Sequence, residues 1–152
     1  MHNYVSLNHA DQIHTPQDDT DYKSAKIPES VTVEQLMRPI SEMAIMPSNS
    51  SMKDIVLRMT ESGYGVAVLV DKVGCVDAVI SDGDLRRHAV KLFDQDPKTI
   101  ATLSPVVVSP QDLIGSALKK IQTKKVYTIL VTQNNKPVGL LRMHDLLRAG
   151  IT

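Results

Sequence analysis

The chain writes one block of about sixty residues twice, and that repetition limits what it can fold into. Met52, Ile55, Val56 and Met59 are spaced i, i+3, i+4, i+7, and Ile114, Ala117, Leu118 and Ile121 take the same places 62 residues later. Each set is one apolar stripe along a helix. Pro47 and Ser48 precede the first stripe, Ser109 and Pro110 the second, and both pairs are helix-start chemistry. Gly65–Val70 (GVAVLV) then aligns with Tyr127–Thr132 (YTILVT), two β-branched runs that read as buried strands. A polar turn follows each, Asp71–Gly74 and Gln133–Lys136, and then a second strand, Val76–Ile80 or Pro137–Leu141. Asp84–Arg87 (DLRR) matches Asp145–Arg148 (DLLR) at a shift of 61, so the second copy has lost one residue in its turn. Upstream, Leu36–Pro39 (LMRP) matches Leu103–Pro105 (LSP), with a strand at Met43–Met46 or Val106–Val108 after it.

Each unit therefore reads strand, helix, strand, strand, helix. Units of this size are marginal alone, and two packed back to back share a core. The fold class is α+β, with a first motif over residues 28–96 and a second over 97–152. Residues 1–27 have neither a basic leader nor an apolar stretch, so they carry no secretory signal. They are rich in Asn, Asp, Gln, His, Ser and Thr, too polar to offset the entropy of ordering, and read as a mobile tail. Three of the five histidines, His2, His9 and His14, fall in it and read as solvated, since a metal needs fixed, convergent ligands.

Composition removes several function classes. Seventeen Lys+Arg balance seventeen Asp+Glu, which argues against a nucleic-acid or membrane coat and makes any anion site local. Val66–Val70 is the longest apolar run, far short of a membrane span. The one cysteine, Cys75, allows no intrachain disulfide and no thiolate cluster, so the chain reads as cytoplasmic. With no Trp and one Phe, stacking platforms for single strands are scarce. There is no GxxxxGK or GxGxxG loop. His144-Asp145 could begin a metal phosphohydrolase site, but only His88 remains in the body to extend it.

One strand–turn–helix junction carries chemistry. Ser81 ends a strand, Gly83 supplies a turn and Asp84 begins a helix. Such a start offers free backbone N–H groups and a positive dipole end, which suit phosphate. The Asp84 carboxylate can accept two hydroxyl hydrogen bonds, as from a ribose diol, and Arg86 and Arg87 add positive charge. The same Ser-x-x-Asp also reads as a capping box needing no ligand. The two roles are compatible, because the hydroxyl can leave the cap when phosphate arrives.

The run Ala78–Arg87 (AVISDGDLRR) resembles the end of a CBS motif, the unit named after cystathionine β-synthase that works in tandem as a Bateman module. Leu140–Ile151 (LLRMHDLLRAGI) is similar to the C-terminal CBS pair of bacterial D-arabinose 5-phosphate isomerases, and the resemblance covers roughly residues 31–152. It implies two motifs packed as a pseudo-twofold pair. It also implies an adenine nucleotide (AMP, ADP or ATP) in the cleft, as effector and not as obligatory cofactor. Ala44, Ile45, Tyr64, Gly65 and Val66 would lie near the base, with Ser81, Asp84 and Arg87 on the ribose and phosphate. Val107, Tyr127, Arg142 and Asp145 would form the second site. From the place of those isomerases in the pathway to Kdo and lipopolysaccharide, a cytidine nucleotide-sugar is a rival effector. The chain has no room for the sugar-isomerase domain, so it is expected to signal rather than catalyse, alone or as the regulatory piece of such an isomerase. Helix-lined faces imply a homodimer; a ligand-free dimerisation module is the alternative. The pattern departs at Asp77, where an apolar residue is usual, at Ala78, where Gly139 stands in the second copy, and at Arg142, which replaces the usual Ser/Thr.

Overall fold

The two apolar stripes become α1 (Met52–Ser62) and α4 (Ile114–Lys124) in a computed structural model that describes residues 29–151. The expected tail, residues 1–27, lies outside the described residues. Met52, Ile55 and Met59 of α1 and Ile114, Ala117, Leu118 and Ile121 of α4 are buried. α1 starts later than Pro47 and Ser48 suggest. Ser51 is its N-cap, accepting the Asp54 N–H at 3.1 Å, and Gly63, at φ 71°, ends it in the left-handed region. Ser48 has other work: its hydroxyl donates to the Val70 carbonyl at 3.0 Å and lies 2.6 Å from Asp77 Oδ2.

Around these helices each copy builds the same sheet. In the first, β2 (Ala44–Pro47) runs parallel to β3 (Val66–Val70), which pairs antiparallel with β4 (Val76–Ser81). In the second, β5 (Val107–Val108), β6 (Thr128–Gln133) and β7 (Lys136–Arg142) repeat that order. α2 (Asp82–Arg87) and α5 (Met143–Arg148) close the copies. The residue lost in the second copy is visible in the turns. Asn134 and Asn135, at φ 51° and 60°, make a two-residue hairpin of the kind that matches strand twist. The longer first turn is tied by Asp71 Oδ1, which accepts N–H groups of Val73 and Cys75.

The opening segments change places. β1 (Arg38–Pro39) pairs antiparallel with β7, with Arg38 opposite Leu140 and Pro39 opposite Gly139. Thr102, after α3 (Pro97–Ile100), pairs with Val79 at the corresponding edge of the first sheet. Val33 accordingly joins the core of Ile114, Ile121 and Leu146, and Ile100 joins that of Ile55, Met59 and Ile80. Each copy is thus completed by chain that precedes the other. The structure makes Arg38 the equivalent of Thr102, which the match of Leu36 to Leu103 had misplaced. A 3-10 turn at Ile40–Glu42 takes up the extra residues of the first copy.

The inner faces of both sheets meet in a third core of Met43, Val68, Leu130 and Leu140, and the expected back-to-back packing is observed. Asp77 does not enter it. The β3–β4 register shifts between Leu69 and Val70, and Asp77 falls in that bulge, ion-paired to Lys98 at 2.6 Å. The Lys98 bond, then that of Ser48, holds its carboxyl below the ordinary value.

Gly139 is where β1 crosses β7. A Cβ there would lie 2.8 Å from the Arg38 carbonyl oxygen, closer than side chains tolerate. Gly139→Ala is expected to push β1 outward and cost about 1–3 kcal/mol, the usual range for overpacking. Thermal denaturation checks this: an unchanged melting temperature would mean that β1 gives way freely.

Candidate functional site

At both junctions the strand passes directly into the helix, with Gly83 inside α2 and not in a turn before it, and the two junctions use their carboxylates differently. In the first copy Ser81 is the N-cap of α2. Asp84 Oδ2 accepts from the Ser81 N–H at 2.8 Å and lies 2.7 Å from its hydroxyl, while Ser81 Oγ accepts the Asp84 N–H at 3.3 Å. Arg87 donates to Asp84 Oδ1, and His88 Nδ1 lies 2.9 Å from the Asp84 carbonyl. Asp84 is buried with both oxygens occupied. Ser81→Ala is expected to cost about 1 kcal/mol of stability, read by urea denaturation, since the cap is lost and one carboxylate bond goes with it. No loss would mean that the box contributes nothing to the fold.

In the second copy Arg142 stands where Ser81 stands in the first, and it cannot cap. It turns onto the carboxylate instead: Arg142 Nε donates to Asp145 Oδ2 at 2.7 Å and Nη2 to Oδ1 at 2.9 Å. Arg38, on β1, donates to the same Oδ1 at 2.9 Å. The Asp145 side chain is only 8% exposed. The Arg142 bonds, with help from Arg38 and against the cost of burial, hold its carboxyl far below the usual carboxylate range. Both guanidiniums are raised in turn, chiefly by their bonds to Asp145. The Arg142 guanidinium also lies over the Tyr64 ring, 4.4 Å from its centroid, and the Tyr64 hydroxyl donates to Glu42. That bond, first among several causes, raises the phenol above its ordinary value. A continuous polar chain therefore joins Glu42 and Tyr64 of the first copy to Arg142, Asp145 and Arg38.

Beside Asp145 is a cavity of about 370 Å³, walled by residues 35–39 on one side and by Asp145, Arg148 and Ala149 on the other. The exchange of opening segments creates it. A smaller cavity of about 230 Å³ lies between α1 and the start of α2, with Gly65 and Asp82 in its wall. Gly65, at φ 68°, faces Asp82 so closely that a Cβ would meet its carboxylate, and its carbonyl accepts the Asp82 N–H at 2.9 Å.

Among the residues named from sequence, Tyr64, Arg142 and Asp145 come together, while Ser81, Asp84 and Arg87 form a separate group of their own. Ala44 is 1% exposed inside the first core, and Ile45 and Val66 pack against the shared core. Val107 opens β5, its carbonyl accepting from Lys120 Nζ, and Tyr127 is largely exposed just before β6. The sequence reading missed Arg38, Arg148 and the rest of residues 35–39. The LMRP match had marked that segment as the opening of the repeat, and Arg148 is the repeat partner of Arg87. What it lacked was the exchange that sets the segment against the other copy.

Residues 98–151 match the CBS domain family. The fold matches a CBS domain protein of Pyrobaculum aerophilum complexed with AMP, at 23% identity and a TM-score of 0.67, over 76% of this chain and 90% of that one. The chain folds as a CBS-domain pair. The CBS pair of protein MJ0100, in complex with 5′-methylthioadenosine and S-adenosyl-L-methionine, aligns with a TM-score of 0.72 at 14% identity, covering 79% of this pair and 95% of that one. Arabinose 5-phosphate isomerase KdsD of Salmonella typhi is 31% identical over 122 residues, 78% of this chain. The pair spans 37% of that relative's length, so the match covers the CBS region alone. The α+β fold and the tandem CBS pattern agree with expectation. Among the described residues, no helix is long and apolar enough to cross a membrane.

Proposed function

We propose that this CBS pair is a regulatory module that takes an adenine nucleotide or nucleotide-sugar beside Asp145 and reports its presence to an attached or partner protein. The observation that carries the reading is the 370 Å³ cavity with Arg38, Arg148 and Asp145 in its walls. Its volume falls in the range of small-molecule sites, about 300–1,000 Å³. One wall comes from the segment that opens the first motif and the other from the helix that ends the second. A ligand held between them favours one relative placement of the two, and that differential binding is the signal. The AMP complex of the Pyrobaculum protein and the adenosyl ligands of MJ0100 support an adenine-type ligand. The Ser81–Asp84–Arg87 group is the corresponding place in the first motif, and a ligand there has to open the capping box. The module is not itself an enzyme on this reading. The isomerase activity belongs to relatives far longer than this chain, and governing such an isomerase is part of the proposal, with a cytidine nucleotide-sugar as the competing effector.

A thermal-shift screen with AMP, ATP, S-adenosylmethionine and CMP-linked sugars tests it. A ligand at 100 times its Kd adds about 2.7 kcal/mol, a shift of several degrees. No shift with any of them contradicts the reading.

Self-association is a second property, favoured by Leu57, Val90, Phe93 and Leu147, large apolar side chains that the described residues leave exposed. A dimer is expected in sedimentation at micromolar concentration, and a monomer removes that part.

A further inference from the structure

We infer that the Asp145 cavity, if it holds a nucleotide as proposed above, grips it by phosphate and not by the ribose diol. A diol needs a carboxylate with free lone pairs directed at it. Asp145 has little to give: Arg142 takes both oxygens in a fork and Arg38 takes one of them again. These are charge-assisted bonds, the strong kind, and two sugar hydroxyls replace them poorly. Arg142 is held further by the Tyr64 ring beneath it, so swinging it away forfeits a stacked contact as well.

The charge left over points the other way. With Asp145 matched by Arg142, the walls still carry Arg38 and Arg148. Arg38 spends one Nη on Asp145, and its side chain is 37% exposed. Arg148 has no ion-pair partner among the described residues. Two arginines lining one cavity suit the oxygens of a phosphate or diphosphate. Asp145 is then a positioning residue: it fixes Arg38 on one wall and holds Arg142 on Tyr64. The first motif differs in that one exposed arginine, Arg87, holds its carboxylate where the second has two.

Titration calorimetry with four probes decides the matter: AMP, 2′,3′-dideoxy-AMP, adenosine and inorganic pyrophosphate. AMP and the dideoxy compound are expected to bind within about twofold of each other, adenosine at least tenfold more weakly, and pyrophosphate is expected to compete with AMP. Arg148→Gln, at an exposed position, is expected to weaken AMP about tenfold, as for one charged hydrogen bond. Arg142→Ser frees the carboxylate, so AMP should then be preferred over its dideoxy analogue, with circular dichroism confirming the fold. A tenfold loss for dideoxy-AMP in the unaltered protein overturns the inference and leaves the nucleotide reading standing. So does an Arg148→Gln variant that binds AMP normally. No binding by any phosphate-bearing probe overturns both.

Discussion

Asp145→Asn is expected to lower stability at neutral pH by about 2 kcal/mol. The carboxylate is nearly buried and matches two cations, Arg142 and Arg38. An amide supplies one acceptor and no charge, and leaves the guanidiniums facing each other. Removing one partner of a fully buried pair costs about 3–5 kcal/mol. Here Arg142 is 21% exposed and Arg38 37%, so solvent screens part of that loss. The acid limb carries the same information. The carboxyl of Asp145 titrates below its unfolded value of about 3.9. Its contribution is therefore present above that pH and is lost as pH falls through the folded value. Asp77, depressed by Lys98, acts in the same direction. Urea midpoints measured from neutral pH downward should fall steeply below about pH 4 in the unaltered protein and less steeply in Asp145→Asn. Parallel curves would show that Asp145 is not the group being protonated.

Leu140→Ala is expected to cost about 2–5 kcal/mol. Leu140 is 1% exposed in the core shared by the two sheets, and its backbone pairs with Arg38 of β1. Truncation leaves a void among Met43, Val68 and Leu130, where side chains from both copies meet. Because each copy also depends on the other's opening segment, unfolding should stay a single transition with an unchanged denaturant slope. Two resolved transitions would mean that the copies fold independently. Val73→Ala, at an exposed turn position, should change stability by less than about 0.5 kcal/mol.

The elements that sequence showed are those with local periodicity. The stripes of α1 and α4, the β-branched runs of β3 and β6 and even the shortened second turn follow from residues close in the chain. β1 has no such signal. It is a two-residue strand whose partner is more than a hundred residues away, so nothing near Arg38 announces that it meets Asp145. The site divides in the same way. Ser81, Asp84, Arg142 and Asp145 are fixed by the strand-to-helix pattern, and the capping box at Ser81 is readable as such, although Gly83 falls inside the helix and not in a turn. Ala44 looked available at the start of a strand, but helix and sheet close over it from positions that sequence does not place. The stacking of Arg142 on Tyr64 joins two copies, and only their packing reveals it.

Hydrogen exchange with and without saturating AMP locates the ligand without altering a residue. Binding beside Asp145 should slow exchange at the amides of residues 35–38 and 143–149, the two walls of the cavity, and leave residues 81–88 nearly as they were. Protection confined to residues 81–88, or no protection at all, would contradict the account.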